Sequence, residues 1–251
     1  SYYQKDEMAF FEMASLVGLG SIPAEKRNPL ELETRGIGEL ILQLVDQGVK
    51  TICVGIGGSA TNDGGIGMAA GLGVAFYDDQ GHLLRPVGAS IGRVDRIDTS
   101  AVPNALQDIE LLVLTDVTNP LCGSQGATYI FGGQKGLNPL LFPAVDQAMQ
   151  DFYQLADARI LSMAGAGAGG GMAAGLVAFA GGQVSSGIEK SLDLIDFDRK
   201  VQKADLVVVG EGRMDLQSLS GKAPVGVAKR TPDKIPVLAI CGALAEDLPA
   251  F

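Results

Sequence analysis

Thr51-Ile-Cys-Val-Gly-Ile-Gly-Gly-Ser-Ala-Thr-Asn-Asp-Gly-Gly65 decides how the chain is read. Thr51 to Val54 has the length and β-branched content of a buried strand. The glycines and small polar residues behind it form a loop, and Ile66 to Leu72 carries a helical run. A strand that ends in a glycine loop and opens a helix aims backbone N–H groups at one point, the geometry of an anion site. Ser59, Thr61, Asn62 and Asp63 add side-chain donors and acceptors. The same residue types also cap a helix with no ligand involved. Gly55, Gly57 and Ala60 further fit a dinucleotide fingerprint, with Asp78 closing the next apolar stretch, Val74 to Tyr77, at the spacing of a ribose contact. Asp63 weighs against that reading, because a carboxylate in a phosphate loop repels pyrophosphate unless a metal intervenes or its task differs. In a kinase such a carboxylate orients or deprotonates the accepting hydroxyl, or holds Mg²⁺.

Outward from this stretch the pattern alternates. Gly38 to Gln47 puts Leu40, Ile41, Leu44 and Val45 on one helical face, with Gly48 as a stop. Leu111 to Thr115 reads as a strand, Val145 to Ala158 as a helix, and Ala173 to Ala180 as a small-residue helix. Ser191 to Lys203 reads as an amphipathic helix, Asp205 to Val209 and Ile235 to Ile240 as strands. Alternation of this kind predicts an α/β fold with mainly parallel pairing. A domain boundary is expected near 200–204.

Two further loops follow strand ends, where open α/β sheets bind ligands. Thr115-Asp-Val-Thr-Asn-Pro-Leu-Cys-Gly123 places Asp116 and Asn119 as oxygen donors suited to Mg²⁺ or a substrate hydroxyl. An Asx-Pro turn accounts for the same residues. Cys122 is expected to be an inert small side chain. Gly210-Glu-Gly-Arg-Met-Asp-Leu-Gln-Ser218, with Gly221-Lys222, gathers Glu211, Arg213, Asp215, Gln217 and Lys222. A guanidinium there grips a carboxylate or phosphate bidentately, and a neighbouring carboxylate ligates metal. The alternative is a surface ion pair of Arg213 with Asp215. Neither Gly221-Lys222 nor Lys135-Gly136 completes a Walker lysine loop.

The 251 residues, 47% hydrophobic and 19% charged, can bury a sizeable core, and 35 glycines beside 6% aromatics suggest many loops and close helix packing. A net charge of −10 provides no overall positive field for nucleic acid or an anionic membrane. Phosphate would be neutralised locally, by Mg²⁺, helix N-termini and single basic residues. Cys53, Cys122 and Cys241 are odd in number and far apart, which suits free thiols in a reducing, cytoplasmic setting. His82 is the one histidine, which excludes a multi-His zinc site. Ser1 to Phe10 lacks the pattern of a signal peptide, and the glycines of Met163 to Gln183 make that stretch a loop entering a buried helix.

Five blocks in order resemble the glycerate kinase family: Gly57 to Gly65, Thr115 to Pro120, Phe131-Gly-Gly-Gln-Lys-Gly136, Gly165 to Gly170, and Gly210 to Asp215 through Gly221-Lys-Ala-Pro224. Phe11-Glu-Met-Ala14 is similar to the family as well, while Ser124 and Gly133 stand where it more often has proline. The resemblance implies two α/β domains: a central mixed domain over 1–203 carrying the first two loops, and part of a discontinuous flavodoxin-like domain over 204–251, its remainder expected outside these residues. It implies phosphoryl transfer from ATP to glycerate with Mg²⁺, and leaves assembly as a homodimer open. Asp63, Asp116 and Arg213 are then the expected catalytic residues. Gly57, Gly58, Ser59, Asn62, Asn119, Glu211, Asp215, Gln217 and Lys222 are expected to bind substrate, with Asp116 and Glu211 toward the metal. The competing readings are an NAD-dependent oxidoreductase and a non-catalytic small-ligand-binding protein on the same fold.

Overall fold

The computed structural model of the chain describes residues 1–214 and 223–245, apart from the side chain of Arg213. It divides into two compact units, Ser1–Val184 and Ser185–Phe251. The first is built on strands β1 (Tyr3–Lys5), β2 (Met8–Glu12), β3 (Thr51–Gly55), β6 (Glu110–Leu114) and β7 (Gln183–Ser185), in the sheet order β1-β2-β3-β6-β7. β1 runs antiparallel to β2, whereas β2, β3 and β6 are parallel, so the sheet is mixed. Register aligns the carboxyl ends of the parallel strands: Glu12 pairs with Gly55, and Gly55 with Leu114.

Burial explains why Thr51 to Gly55 lies inside the sheet. Ile52 and Val54 join the main core with Ile41, Leu44, Met68, Phe76 and Phe152. Cys53 faces the other way, against Leu112 and Leu114. A central strand apolar on both faces is what a parallel sheet with cover on each side requires. The helices of this unit are α1 (Ala14–Val17), α2 (Arg35–Asp46), α3 (Ile66–Gly71), α4 (Ala127–Phe131), α5 (Phe142–Ala156) and α6 (Ala168–Ala180). α6 opens with Gly169, Gly170 and Gly171 at left-handed φ of 67°, 73° and 87°, so its regular part begins at Met172. Among the described residues no helix is long and apolar enough to cross a membrane.

The short strands β4 (Ala75–Tyr77) and β5 (Arg96–Asp98) pair antiparallel with each other in a sheet of their own. This corrects the dinucleotide reading. A βαβ unit needs its second strand beside the first, and β4 is not in the sheet of β3. Asp78 instead closes the turn behind β4, accepting from the amides of His82 (2.8 Å) and Gln80 (3.1 Å) and from Arg93 (3.2 Å).

In the second unit, β8 (Val207–Met214) and β9 (Val237–Leu244) pair in parallel, with α9 (Ala223–Arg230) between them in sequence. β8 is longer than the expected strand: Glu211 pairs with Cys241 and Arg213 with Ala243, so the ladder carries the backbone through residues expected in a loop. The expected helix Ser191 to Lys203 is two, α7 (Gly187–Leu194) and α8 (Phe197–Val201), broken at Asp196, whose φ of 55° a continuous helix cannot contain. Arg230 ties them to α9 through Glu189, Asp193 and Asp198.

Glycine lets α2 and α3 approach closely. A Cβ on Gly38 would stand 2.1 Å from the Met68 carbonyl oxygen, and one on Gly71 would stand 2.2 Å from that of Arg35. Alanine improves intrinsic helix propensity by up to about 1 kcal/mol. Moving backbone atoms out of such a clash costs about 1–3 kcal/mol and outweighs it. Gly38→Ala is therefore expected to lower the urea midpoint with an unchanged m-value, and a midpoint at or above that of the parent would contradict this packing.

Candidate functional site

The carboxyl ends of β2, β3 and β6 lie side by side and release three segments: Glu12 into α1, the glycine loop, and the loop that begins at Thr115. In the glycine loop Gly57 and Gly58 are exposed, whereas Ser59 to Gly65 are buried. Neighbouring backbone holds the exposed turn from one side. The Leu19 amide donates to Gly58 O (2.9 Å) and the Ala60 amide to Val17 O (2.9 Å), bridging Gly18 with Ser59. Among the described residues the amides of Gly57, Gly58 and Ser59 donate to no protein group. Gly58 has a φ of +66°, and a Cβ on Gly57 would meet nothing within 4 Å. Successive unengaged amides at a left-handed turn form a concavity suited to an anionic oxygen.

Asp63 closes the other end of the loop and is fully buried. Its Oδ2 accepts from Thr34 Oγ1 at 2.6 Å and from the Gly67 amide at 3.4 Å, and its Oδ1 from the Gly65 amide at 3.0 Å. Thr34 Oγ1 in turn accepts from the Met68 amide at 2.8 Å. The pair satisfies amides that the first turn of α3 leaves without helical partners. Burial pushes the Asp63 carboxyl above its ordinary range, while Thr34, Gly65, Gly67 and the charge of Lys135 pull it back. The structure thus places Asp63 at the start of a helix and encloses its carboxylate.

Between these ends sits Lys135, which is 3% exposed. Its Nζ donates to Ser59 Oγ (2.8 Å) and to Thr61 O (2.7 Å). Burial lowers its pKa to about 8, against an opposing pull from Asp63. Asn62 Nδ2 donates to Thr128 Oγ1 at 3.0 Å. Two buried oxygens of the loop, Thr61 Oγ1 and Asn62 Oδ1, have no partner among the described residues.

The second loop presents an exposed Asp116 at the end of β6. Thr115 Oγ1 accepts from the Val117 amide (3.1 Å), and Asn119 Nδ2 donates to Gln125 O (2.8 Å). The amides of Gly165 and Gly167 donate to Thr118 O and Asn119 O, both at 3.1 Å, and the Gly64 amide donates to Gly170 O at 3.0 Å. One glycine turn, residues 165–171, therefore binds the first two loops together. Burial, with Asp146 and Asp151 nearby, pushes the half-buried Cys122 thiol up to about 12, so thiolate is scarce at neutral pH. Glu12 flanks the other side of β3. A Cβ on Gly55 would stand 2.3 Å from its Oε2, and partial burial raises its pKa.

Gly57, Gly58, Ser59, Asn62 and Asp63 thus share one loop, with Asp116 and Asn119 on the loop of the adjacent strand. Glu211 belongs to the second unit, where its Oε1 accepts from the Gly212 amide at 3.1 Å. The Arg213 side chain, Asp215, Gln217 and Lys222 lie outside the described residues. Sequence reasoning gave no site role to Lys135, Thr34 or Glu12, although Glu12 stands in the family-like segment Phe11 to Ala14. Lys135 had one signal, its place in the glycine-bounded block Phe131 to Gly136, while Thr34 had none near it in sequence.

Asp63→Asn sets an N–H donor against the amides and hydroxyl that now donate to the carboxylate. It is expected to cost about 1–3 kcal/mol of stability. Thr34→Val should cost a similar amount, with the double variant well short of the sum because both remove one network. Denaturant titration of the four proteins checks this, and additive costs would contradict it.

The model of the glycerate kinase family matches residues 1–251. The chain is 58% identical to a glycerate kinase of Neisseria meningitidis serogroup B, over its whole length and 67% of that protein. It is 42% identical to the glycerate 2-kinase of Escherichia coli K12, over 96% of the chain and 64% of that protein. A crystal structure of a putative glycerate kinase 2 from Salmonella typhimurium LT2 superposes with a TM-score of 0.82 at 40% identity, covering 95% of this chain and 67% of that one. The chain spans about two thirds of the length of the relatives it matches.

Proposed function

This chain belongs to the glycerate kinase family, and from that premise we propose that the whole protein transfers the γ-phosphoryl group of ATP to a hydroxyl of glycerate. The observation that supports this reading most is the exposed Gly57–Gly58 turn at the carboxyl end of a central parallel strand, where the amides of both glycines and of the buried Ser59 donate to no protein group among the described residues. Both reactants are anions, and a chain with net charge −10 needs such a local positive site.

In this reading the turn receives an anionic oxygen, either of the glycerate carboxylate or of the phosphoryl group in flight. Asp116 and Glu12, carboxylates on either side of β3, are the groups to orient the accepting hydroxyl and take its proton. Asp63 contributes by holding the loop to α3. Asn119 fixes the backbone of its loop through Gln125 O, and Asn62 ties the glycine loop to α4 through Thr128 Oγ1. Glu211, Arg213, Asp215, Gln217 and Lys222 enter by motif alone, Arg213 as the bidentate grip on an anion. The parallel β8–α9–β9 unit supports the flavodoxin-like domain that the family resemblance implies.

Among the described residues no three His, Cys, Asp or Glu side chains cluster as a metal cage. Mg²⁺ is commonly held by one or two carboxylates together with substrate phosphates and water, and Asp116, exposed at the end of β6, would supply one of them. The bound ion would neutralise phosphoryl charge. Catalysis by the chain itself is then positioning and electrostatic complementarity.

A coupled assay of the whole protein, run over several small hydroxy acids, tests the reading. ADP release that depends on glycerate is the expected result. Ligand-induced stabilisation without turnover would replace the kinase by a binding protein on the same fold. Asp116→Asn is expected to lower kcat by about 10², the scale of acid–base positioning, with an unchanged melting curve. Near-full turnover in that variant would remove Asp116 from the mechanism.

A further inference from the structure

We propose that Lys135 is the positioning residue of the anion turn, fixing Ser59 Oγ and the Thr61 carbonyl so that the Gly57–Ser59 amides converge and the Ser59 hydroxyl is held as a donor. The proposal deepens the functional reading above and rests on it. An ammonium group has three N–H donors and no acceptor, so where Lys135 Nζ meets Ser59 Oγ the serine oxygen must accept. The serine proton is then directed away from the lysine, and among the described residues no protein acceptor takes it. The Thr61 carbonyl is confined as well. It accepts from Nζ at 2.7 Å, and a Cβ on Gly170, whose φ is +73°, would approach it to 2.0 Å.

A buried ammonium carries a desolvation cost of several kcal/mol, which an apolar side chain of the same volume would not. Among the described residues both of its hydrogen bonds go to the segment 59–61, directly beside the exposed turn, and none goes to a carboxylate. A lysine kept charged in that position acts on the turn. The group that faces it electrostatically is Asp63. Arg27, on the segment that Gly136 packs against, has its guanidinium engaged by Leu19 O and Ile22 O. Because burial lowers the Lys135 pKa to about 8, the ammonium loses its proton as pH rises through that value, and the hold on the turn fails above it.

The test is a double-variant cycle in the whole protein, read as kcat and KM for glycerate and ATP alongside melting curves. Lys135→Met is expected to lower kcat/KM by about 10² and Ser59→Ala by about tenfold, with the double variant no worse than Lys135→Met alone. Lys135→Arg keeps the charge, so it should restore most of the activity and move the alkaline fall in kcat/KM upward from about pH 8. Additive losses, or a folded Lys135→Met protein with parental kinetics, would overturn the proposal. If Lys135→Met does not fold, the Lys135→Arg profile decides, and an unmoved alkaline limb overturns it. Absence of glycerate-dependent turnover in the parent would sink the functional reading instead. The positioning role is then read from the melting shift that inorganic phosphate produces: present in the parent, reduced in Ser59→Ala, and retained above pH 8 only in Lys135→Arg. Equal shifts in all three proteins at every pH would overturn it.

Discussion

One buried cation and one buried anion hold the two halves of a single glycine loop. Lys135 grips Ser59 and Thr61, and Asp63 grips the first turn of α3 through Thr34, Gly65 and Gly67. Neither charge could stay buried without these hydrogen bonds, since an unpaired ion in the interior costs several kcal/mol. With them, the loop has little freedom to adopt another shape. The exposed remainder, Gly57 and Gly58, is therefore presented as a rigid turn and not as a flexible tether.

Glycine serves the same end by allowing backbone to meet backbone. Gly170 and Gly171 press on Thr61 and Gly64, while Gly165 and Gly167 bond to the loop behind β6. Two loops from adjacent strands are thereby fixed to one another through a third segment more than 40 residues along the chain from the nearer of them. That arrangement keeps Asp116 and the amide turn on neighbouring strand ends, as joint action on one small substrate demands.

Much of this was legible in the sequence, and the exceptions have physical causes. Short apolar runs marked β3 and β6 because inner parallel strands bury both faces. The end of β8 was not legible, since Gly210, Glu211 and Gly212 read as loop while the ladder with β9 supplies their backbone with partners. Asp196 interrupts a helical pattern through one left-handed residue, which hydrophobic spacing does not register. Asp63 left chemistry and capping both open, because a short carboxylate before a helix serves either, and its partner Thr34 lies 29 residues away. Lys135 is harder still: nothing in its glycine-rich block marks the lysine as buried, and only the fold shows it against Ser59, 76 positions earlier.

The central claim is that the Gly57–Ser59 amides are the anion site of the first unit. Amide NMR of the isotope-labelled whole protein, titrated with glycerate and then with inorganic phosphate, tests it most directly. The account predicts that the Gly57, Gly58 and Ser59 amide protons move downfield together and exchange more slowly as the anion binds. Saturable binding that leaves these three amides unchanged, while others shift, would contradict it.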